Sequence, residues 1–159
     1  MIELKKMQLE DLEQLMRLEH NAFPAAEAAK KETLAYRIRH YNWWIRKAET
    51  DGKLIGYICA RPVTGLEIED AMYEPKAYPE GGTLAILSLA TDPDWRKRGI
   101  GGFLMKDFIY LSREAHFLYL ILACKEEKIP YYESFGFVEK GISNSNHGGA
   151  VWYDMQLSL

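Results

Sequence analysis

A chain of 159 residues is the size of one domain with a real core, and a net charge of −3 leaves it too acidic to hold nucleic acid by bulk electrostatics. Hydrophobic residues make up 48% and charged residues 27%, as in a soluble globular protein, and no apolar run reaches membrane-spanning length. Cys59 and Cys124 lie in apolar runs without metal-ligand spacing, and the opening Met-Ile-Glu-Leu-Lys-Lys has no secretory apolar segment. A reducing, cytoplasmic setting is therefore expected, with no metal and no membrane partner.

Ile2 to Met7 alternates apolar and charged residues and predicts a first strand. Leu12, Leu15 and Met16 recur at helical spacing to about His20, and a second helix is expected from Glu27 to His40. The segment Phe23-Pro24-Ala25-Ala26-Glu27 joins them. Trp43 to Glu49 and Leu54 to Arg61 read as strands around Thr50-Asp51-Gly52-Lys53, where Asp-Gly is a strong hairpin signal. Pro62 to Gly82 shows no period and is read as a loop. Leu84 to Leu89 has the length of a buried strand and breaks at Asp92-Pro93; apolar residues at Leu104, Phe108 and Leu111 then mark a helix.

The continuous apolar run from His116 to Cys124 predicts a strand buried on both faces. Pro130 and Gly136 bracket a short helix, Ile129 to Phe135. A strand from Phe137-Val138, a loop rich in Asn, Ser, Gly and His, and a last strand from Val151 to Leu157 complete the chain. The order β-α-α-β-β-β-α-β-α-β-β predicts a single α/β domain over residues 1–159, a mixed central sheet of about six to seven strands with helices on both faces.

Chemistry concentrates between the central strand and the helix after it. A helix start offers backbone N–H groups without intrahelical partners and a partial positive charge. Gly99, Gly101 and Gly102 allow a phosphate close to the main chain, and Arg96, Lys97 and Arg98 add formal charge. A pyrophosphate ligand is expected there. The Gly-Lys-Ser/Thr ending of a Walker loop is absent, and the glycines run G-x-G-G, unlike a dinucleotide fingerprint.

Arg96-x-x-Gly99-x-Gly101 resembles the acetyl-CoA signature of the GCN5-related N-acetyltransferase (GNAT) superfamily. Some thirty residues on, Tyr132-Glu133-Ser134-Phe135-Gly136-Phe137 is similar to that family's second hallmark, a helix ending in Tyr-Glu-x-x-Gly-Phe. The resemblance implies the mixed fold already read from the elements. It also implies acetyl-CoA as cosubstrate, with Arg96, Lys97, Arg98, Gly99, Ile100, Gly101 and Gly102 on the pyrophosphate. Leu89, Ala90 and Thr91 would pair with the pantetheine, and Tyr132 would protonate the departing CoA thiolate. A thiol titrates near 8.5 and a phenol near 10, so a placed phenol O–H can make that donation.

The tail Ser143 to Met155 and the segment Phe23 to Ala29 resemble the microbial arylalkylamine (serotonin-type) branch, which implies a small-molecule primary amine as acceptor. Vertebrate relatives relay the amine's proton through two histidines on the central strand, and Ala85-Ile86-Leu87-Ser88-Leu89 has none. The candidate bases are Glu27, similar to the water-linked carboxylate of insect relatives, and His147 in its Gly-Gly loop. Ser88 is a poor base without a partner, and Cys124 has nothing near it in sequence to activate it. Phe23, Tyr36, Trp43, Trp44, Tyr73 and Trp152 are either an aryl pocket, with Glu27 or Asp154 facing the ammonium, or ordinary core. A polyamine, an aminoglycoside or a protein N-terminus remains an alternative acceptor, a CoA-binding regulatory module an alternative class, and homodimerisation through the C-terminal strand an open possibility.

Overall fold

The computed structural model describes all of residues 1–159. The elements follow the expected order: β1 (Glu3–Lys6), α1 (Leu12–Ala22), α2 (Lys31–Tyr41), β2 (Ile45–Thr50), β3 (Lys53–Val63), β4 (Thr83–Thr91), α3 (Ile100–Glu114), β5 (Tyr119–Cys124), α4 (Ile129–Glu133), β6 (Val138–Ile142) and β7 (Tyr153–Ser158). They form a mixed seven-stranded sheet in the order β1-β2-β3-β4-β5-β7-β6. β4 and β5 run parallel, while β1–β2, β2–β3, β5–β7 and β6–β7 are antiparallel. No helix is long and apolar enough to cross a membrane.

The chain gathers into two compact units, residues 1–60 with 88–108 and residues 61–87 with 109–159. In the first, the apolar stripes of α1 and α2 meet the sheet through Leu15, Leu18, Leu34, Ile38, Ile45 and Tyr57. Asp51 and Gly52 both take positive φ, +49° and +76°, so the Asp-Gly turn matches the strand twist as a type I′ hairpin requires.

α2 begins at Lys31, four residues later than the sequence pattern suggests. The Pro24 carbonyl accepts from both Glu27 N–H and Ala28 N–H, closing a turn, and Ala29 N–H donates to the Glu19 side chain. Glu27 therefore sits in a closed turn that does not continue into α2, and not at a helix start. Trp43 and Trp44 likewise belong to a 3-10 turn ahead of β2.

In the second unit Val63, Ile68, Met72, Ala85 and Ile121 form the core. The segment read as a loop from Pro62 to Gly82 is ordered packing. β3 runs on through Val63, and Asp70–Tyr73 forms a 3-10 turn that buries Met72 completely. Arg61, itself buried, ties the segment down by donating to the carbonyls of Met72 (3.1 Å) and Lys76 (3.0 Å). β7 is paired on both edges, along its length with β5 and over Tyr153 to Gln156 with β6.

Candidate active site

The second unit holds β4 as far as Leu87, and the first holds it from Ser88 onward. Thr83 to Ile86 are buried, whereas Leu87, Ser88 and Leu89 are half-buried. The parallel ladder with β5 registers Thr83 to Ala85 against Tyr119 to Ile121, and β4 continues to Thr91 beyond it. Asp92 then ends the strand: its N–H donates to the Ile55 carbonyl (2.8 Å), and its Oδ1 accepts from Asp94 N–H (2.9 Å).

The turn that follows contains two left-handed residues, Lys97 at φ +61° and Gly99 at φ +79°. Gly99 permits this without strain, and its carbonyl accepts from Phe103 N–H as the first bond of α3. α3 starts at Ile100, so Gly101 and Gly102 belong to its first turn and not to a loop ahead of it. This places the unpartnered N–H groups of the helix start on residues with little or no side chain over them. Arg96, Lys97, Arg98 and Gly99 are exposed around that start, and the Arg98 guanidinium lies 4.7 Å from the Trp95 ring. The arrangement is a basic, backbone-lined anion cradle.

Gly56 on β3 sets where this helix starts, and sequence reasoning did not single it out. A β-carbon there would stand 2.9 Å from Ile100 Cγ2 and 3.0 Å from the Ala90 carbonyl oxygen, closer than real contacts allow. The absent side chain lets the first residue of α3 seat directly on β3.

The first unit also contains a buried polar cluster. Glu19 is 3% exposed, Arg37 3% and Tyr57 0%. Tyr57 Oη lies 2.5 Å from Glu19 Oε1 and 2.9 Å from Ser88 Oγ, and Glu19 Oε2 accepts from Ala29 N–H at 2.8 Å. Burial pushes the Tyr57 phenol well above its ordinary range, with Glu19 adding to the effect. Burial works against the Arg37 charge, but Cys59, Tyr41, Tyr57 and Glu19 around it outweigh that and raise its pKa. The signal was present in sequence: Leu15, Leu18 and Glu19 share one face of α1, and Leu34, Arg37, Ile38 and Tyr41 share one face of α2.

In the second unit, Pro130 opens α4 and Gly136, at φ +101°, closes the turn after it. The Tyr132 carbonyl accepts from the N–H groups of both Phe135 (3.1 Å) and Phe137 (3.3 Å), which fixes the backbone on either side of the bend. The Tyr132 ring stands edge-on to Tyr131 and Phe137, and burial pushes its phenol far above the ordinary value, with Tyr131, Cys124 and Tyr73 contributing. Tyr132 is therefore a proton donor throughout the neutral range. Burial also pushes the Cys124 thiol up to about 11, with Glu127 and Glu139 adding, so it is protonated and inert as a nucleophile at neutral pH.

His147 is packed between aromatic rings. It stacks on Tyr73 at 4.6 Å, and its ring centroid lies 6.1 Å from that of Trp152, whose Nε1–H donates to the His147 carbonyl at 2.8 Å. Ser145 anchors the same loop by donating to Asp70 Oδ1 at 2.6 Å. Of the six aromatics considered for an aryl pocket, Tyr73 and Trp152 thus flank His147. Phe23, Tyr36 and Trp44 pack against the first unit's core, and Trp43 is 70% exposed with Lys6 over its ring at 3.9 Å. Asp154 lies on β7, 7% exposed, its pKa raised by burial against the lowering effect of hydrogen bonds from Ser143 and the Ile68 backbone.

Residues 12–137 match the model of the Acetyltransferase (GNAT) family. The chain belongs to this family. As a GNAT acetyltransferase it shares its fold with a GNAT-like decarboxylase, GphF, in complex with isobutyryl-CoA (TM-score 0.86, 16% identity, 98% of each chain covered). It also shares the fold with the ribosomal-protein-S18-alanine N-acetyltransferase of Escherichia coli (TM-score 0.76, 19% identity, 99% of this chain and 94% of that one). The PaiA N-acetyltransferase of Thermoplasma acidophilum, in complex with coenzyme A, is similar too (TM-score 0.76, 18% identity, 100% and 99% covered). No curated protein matches this GNAT chain by sequence.

Proposed function

We propose that this GNAT acetyltransferase transfers the acetyl group of acetyl-CoA directly to a primary amine, with an arylalkylamine as the acceptor class. The observation that carries the reading is the anion cradle at the start of α3: a left-handed Gly99, two glycines in the first helical turn, and Arg96, Lys97 and Arg98 exposed around them. These residues fit a pyrophosphate, and Leu89, Ala90 and Thr91 are the backbone with which the pantetheine amides would pair as an added strand does. The coenzyme A bound by the PaiA relative supports the ligand assignment.

In this mechanism the amine arrives as an ammonium and loses its first proton to Glu27 through water or to His147. The neutral nitrogen attacks the thioester carbonyl, and a backbone N–H near Leu89 stabilises the oxyanion. Sulfur leaves with the bonding pair and takes its proton from the half-buried Tyr132 phenol, which is refilled from water as the nitrogen sheds its second proton. The aromatic faces of Tyr73 and Trp152 beside His147, with acidic Asp70 and Asp154 in the same unit, support an aromatic cation as acceptor.

The test is thiol release from acetyl-CoA with tryptamine, phenethylamine, spermidine, an aminoglycoside and an alanine-terminated peptide. Selective turnover of the two aryl-ethylamines is expected. Turnover of the peptide, the acceptor type named for the Escherichia coli relative, or of spermidine would keep acetyl transfer and discard the arylalkylamine. A second reading, decarboxylation of a 2-carboxyacyl-CoA, is favoured by the fold similarity to GphF. It is recognised by carbon dioxide release without free thiol. Tight acetyl-CoA binding with neither product would leave a regulatory CoA-binding module.

A further inference from the structure

Ser88 has the partner that its sequence context lacks. Its Oγ is 2.9 Å from Tyr57 Oη, and Tyr57 Oη is 2.5 Å from Glu19 Oε1. The proton count along this chain fixes its direction. A phenol has one proton, and a carboxylate only accepts, so Tyr57 donates to Glu19. The remaining lone pair on Tyr57 is then filled by the Ser88 proton. Glu19 Oε2 is already engaged by Ala29 N–H, and the buried Arg37 guanidinium in the same cluster balances the carboxylate's charge. Ser88, half-buried where β4 opens to accessible surface, is left presenting lone pairs only.

We propose that Ser88 accepts a hydrogen bond from the attacking amine and then its second proton, with Tyr57 and Glu19 as positioning residues that lock the hydroxyl as an acceptor. The inference rests on the acetyl-transfer reading above. As the N–C bond forms, the carbonyl π pair moves to oxygen and the nitrogen becomes cationic. Its proton passes to Ser88 Oγ while the Ser88 proton passes to Tyr57 Oη and the Tyr57 proton to Glu19 Oε1. The C–S bond then breaks with its pair on sulfur, which takes the Tyr132 proton. After the amide leaves, Glu19 returns its proton to water along the same chain and Tyr132 is refilled from water. One ammonium and one acetyl thioester give one amide, one thiol and one proton. No tyrosinate is needed at Tyr57, because each hydroxyl gives up a proton as it gains one.

The experiment measures acetyl-CoA affinity by calorimetry and kcat/KM for the preferred amine in wild type, Ser88→Ala, Ser88→Thr, Tyr57→Phe and the Ser88→Ala/Tyr57→Phe double variant. Ser88→Ala should lower kcat/KM by about a hundredfold, the scale of a lost general base, with acetyl-CoA affinity within about twofold. Ser88→Thr, which keeps the hydroxyl, should recover most of it. Tyr57→Phe should lower kcat/KM by about tenfold, and the double variant should be no worse than Ser88→Ala, since parts of one chain do not add. Retained affinity in each variant also shows that it folds. Wild-type kcat/KM in Ser88→Ala, multiplying effects in the double variant, or a loss confined to acetyl-CoA affinity (which would put a pantetheine amide on Ser88) each overturns the assignment. If wild type binds acetyl-CoA and acetylates no amine, the transferase reading falls and this role falls with it.

Discussion

Burial keeps Tyr132 protonated, which leaves its O–H available to a departing thiolate while weakening it as an acid. Tyr132→Phe keeps the edge-on packing and deletes only the donor. Turnover is expected to drop by about a hundredfold, with acetyl-CoA affinity changed by less than about twofold. Steady-state kinetics beside calorimetry separates the two, and unchanged turnover would remove Tyr132 from the chemistry. Gly99 is a different kind of residue, used for its backbone. Nothing lies within 4 Å of where its β-carbon would stand, so Gly99→Ala meets no clash and acts through φ +79° alone. A left-handed alanine costs about 1–2 kcal/mol, which the turn sheds by leaving the cradle conformation. Acetyl-CoA affinity should weaken by about tenfold while the melting temperature hardly moves. A melting shift without a binding shift would place the strain in the fold and not in the site. Both residues were visible in sequence, since glycine and tyrosine at motif spacing declare themselves locally. Glu19 and Arg37 were missed: each is a charge on an apolar helix face, but their meeting with Tyr57 and Ser88 depends on tertiary packing.

At the level of elements, what matters is how one segment seats another, and here local pattern says least. The start of α3 depends on a missing side chain on β3: Gly56→Ala would push a methyl to 2.9 Å from Ile100 Cγ2 and 3.0 Å from a backbone oxygen of β4. The side chain can give way, the backbone oxygen cannot, and overpacking of this kind costs about 1–3 kcal/mol. Both the denaturation midpoint and acetyl-CoA affinity are expected to fall together in this variant, in contrast to Gly99→Ala. A glycine in a strand reads in sequence only as a weak point, and its reason lies some forty residues away. The segment after β3 shows the same limit. Its aperiodic sequence predicts a loop, yet Arg61 donates to two of its carbonyls and Met72 is wholly buried beneath it. Arg61→Met keeps the aliphatic stem and abandons those carbonyls, a loss of about 2–4 kcal/mol. Proteolysis should then open new cuts between residues 64 and 82, whereas an unchanged cleavage pattern would show that the apolar contacts alone hold the segment.

For the whole molecule, the succession of strands and helices was legible because period, proline and the Asp-Gly turn are local signals. The placement of β7 between β5 and β6 was not, because nothing local says which strand a hairpin partner will also pair with. A property that belongs to the entire folded state is its alkaline limit. Burial pushes the Cys124 thiol up to about 11, with Glu127 and Glu139 adding, and the thiol is 4% exposed. In the unfolded chain it titrates near 8.5. Below the unfolded value both states carry the proton and the contribution to stability is fully present. Between the two values the unfolded chain has released its proton and the folded chain has not, so unfolding gains free energy with each step in pH. The contribution, on the order of 3 kcal/mol over that interval, is lost as pH rises through the folded value. Tyr57 and Tyr132, whose phenols are raised still further, extend the decline at higher pH. Cys124→Ala removes the thiol's share alone. The wild-type denaturation midpoint should therefore fall more steeply between pH 8 and about 11 than that of the variant, with the two curves parallel below pH 8. Parallel curves across the whole range would mean that Cys124 ionises as freely in the folded protein as in the unfolded chain, and that the interior around it is wetter than its burial implies.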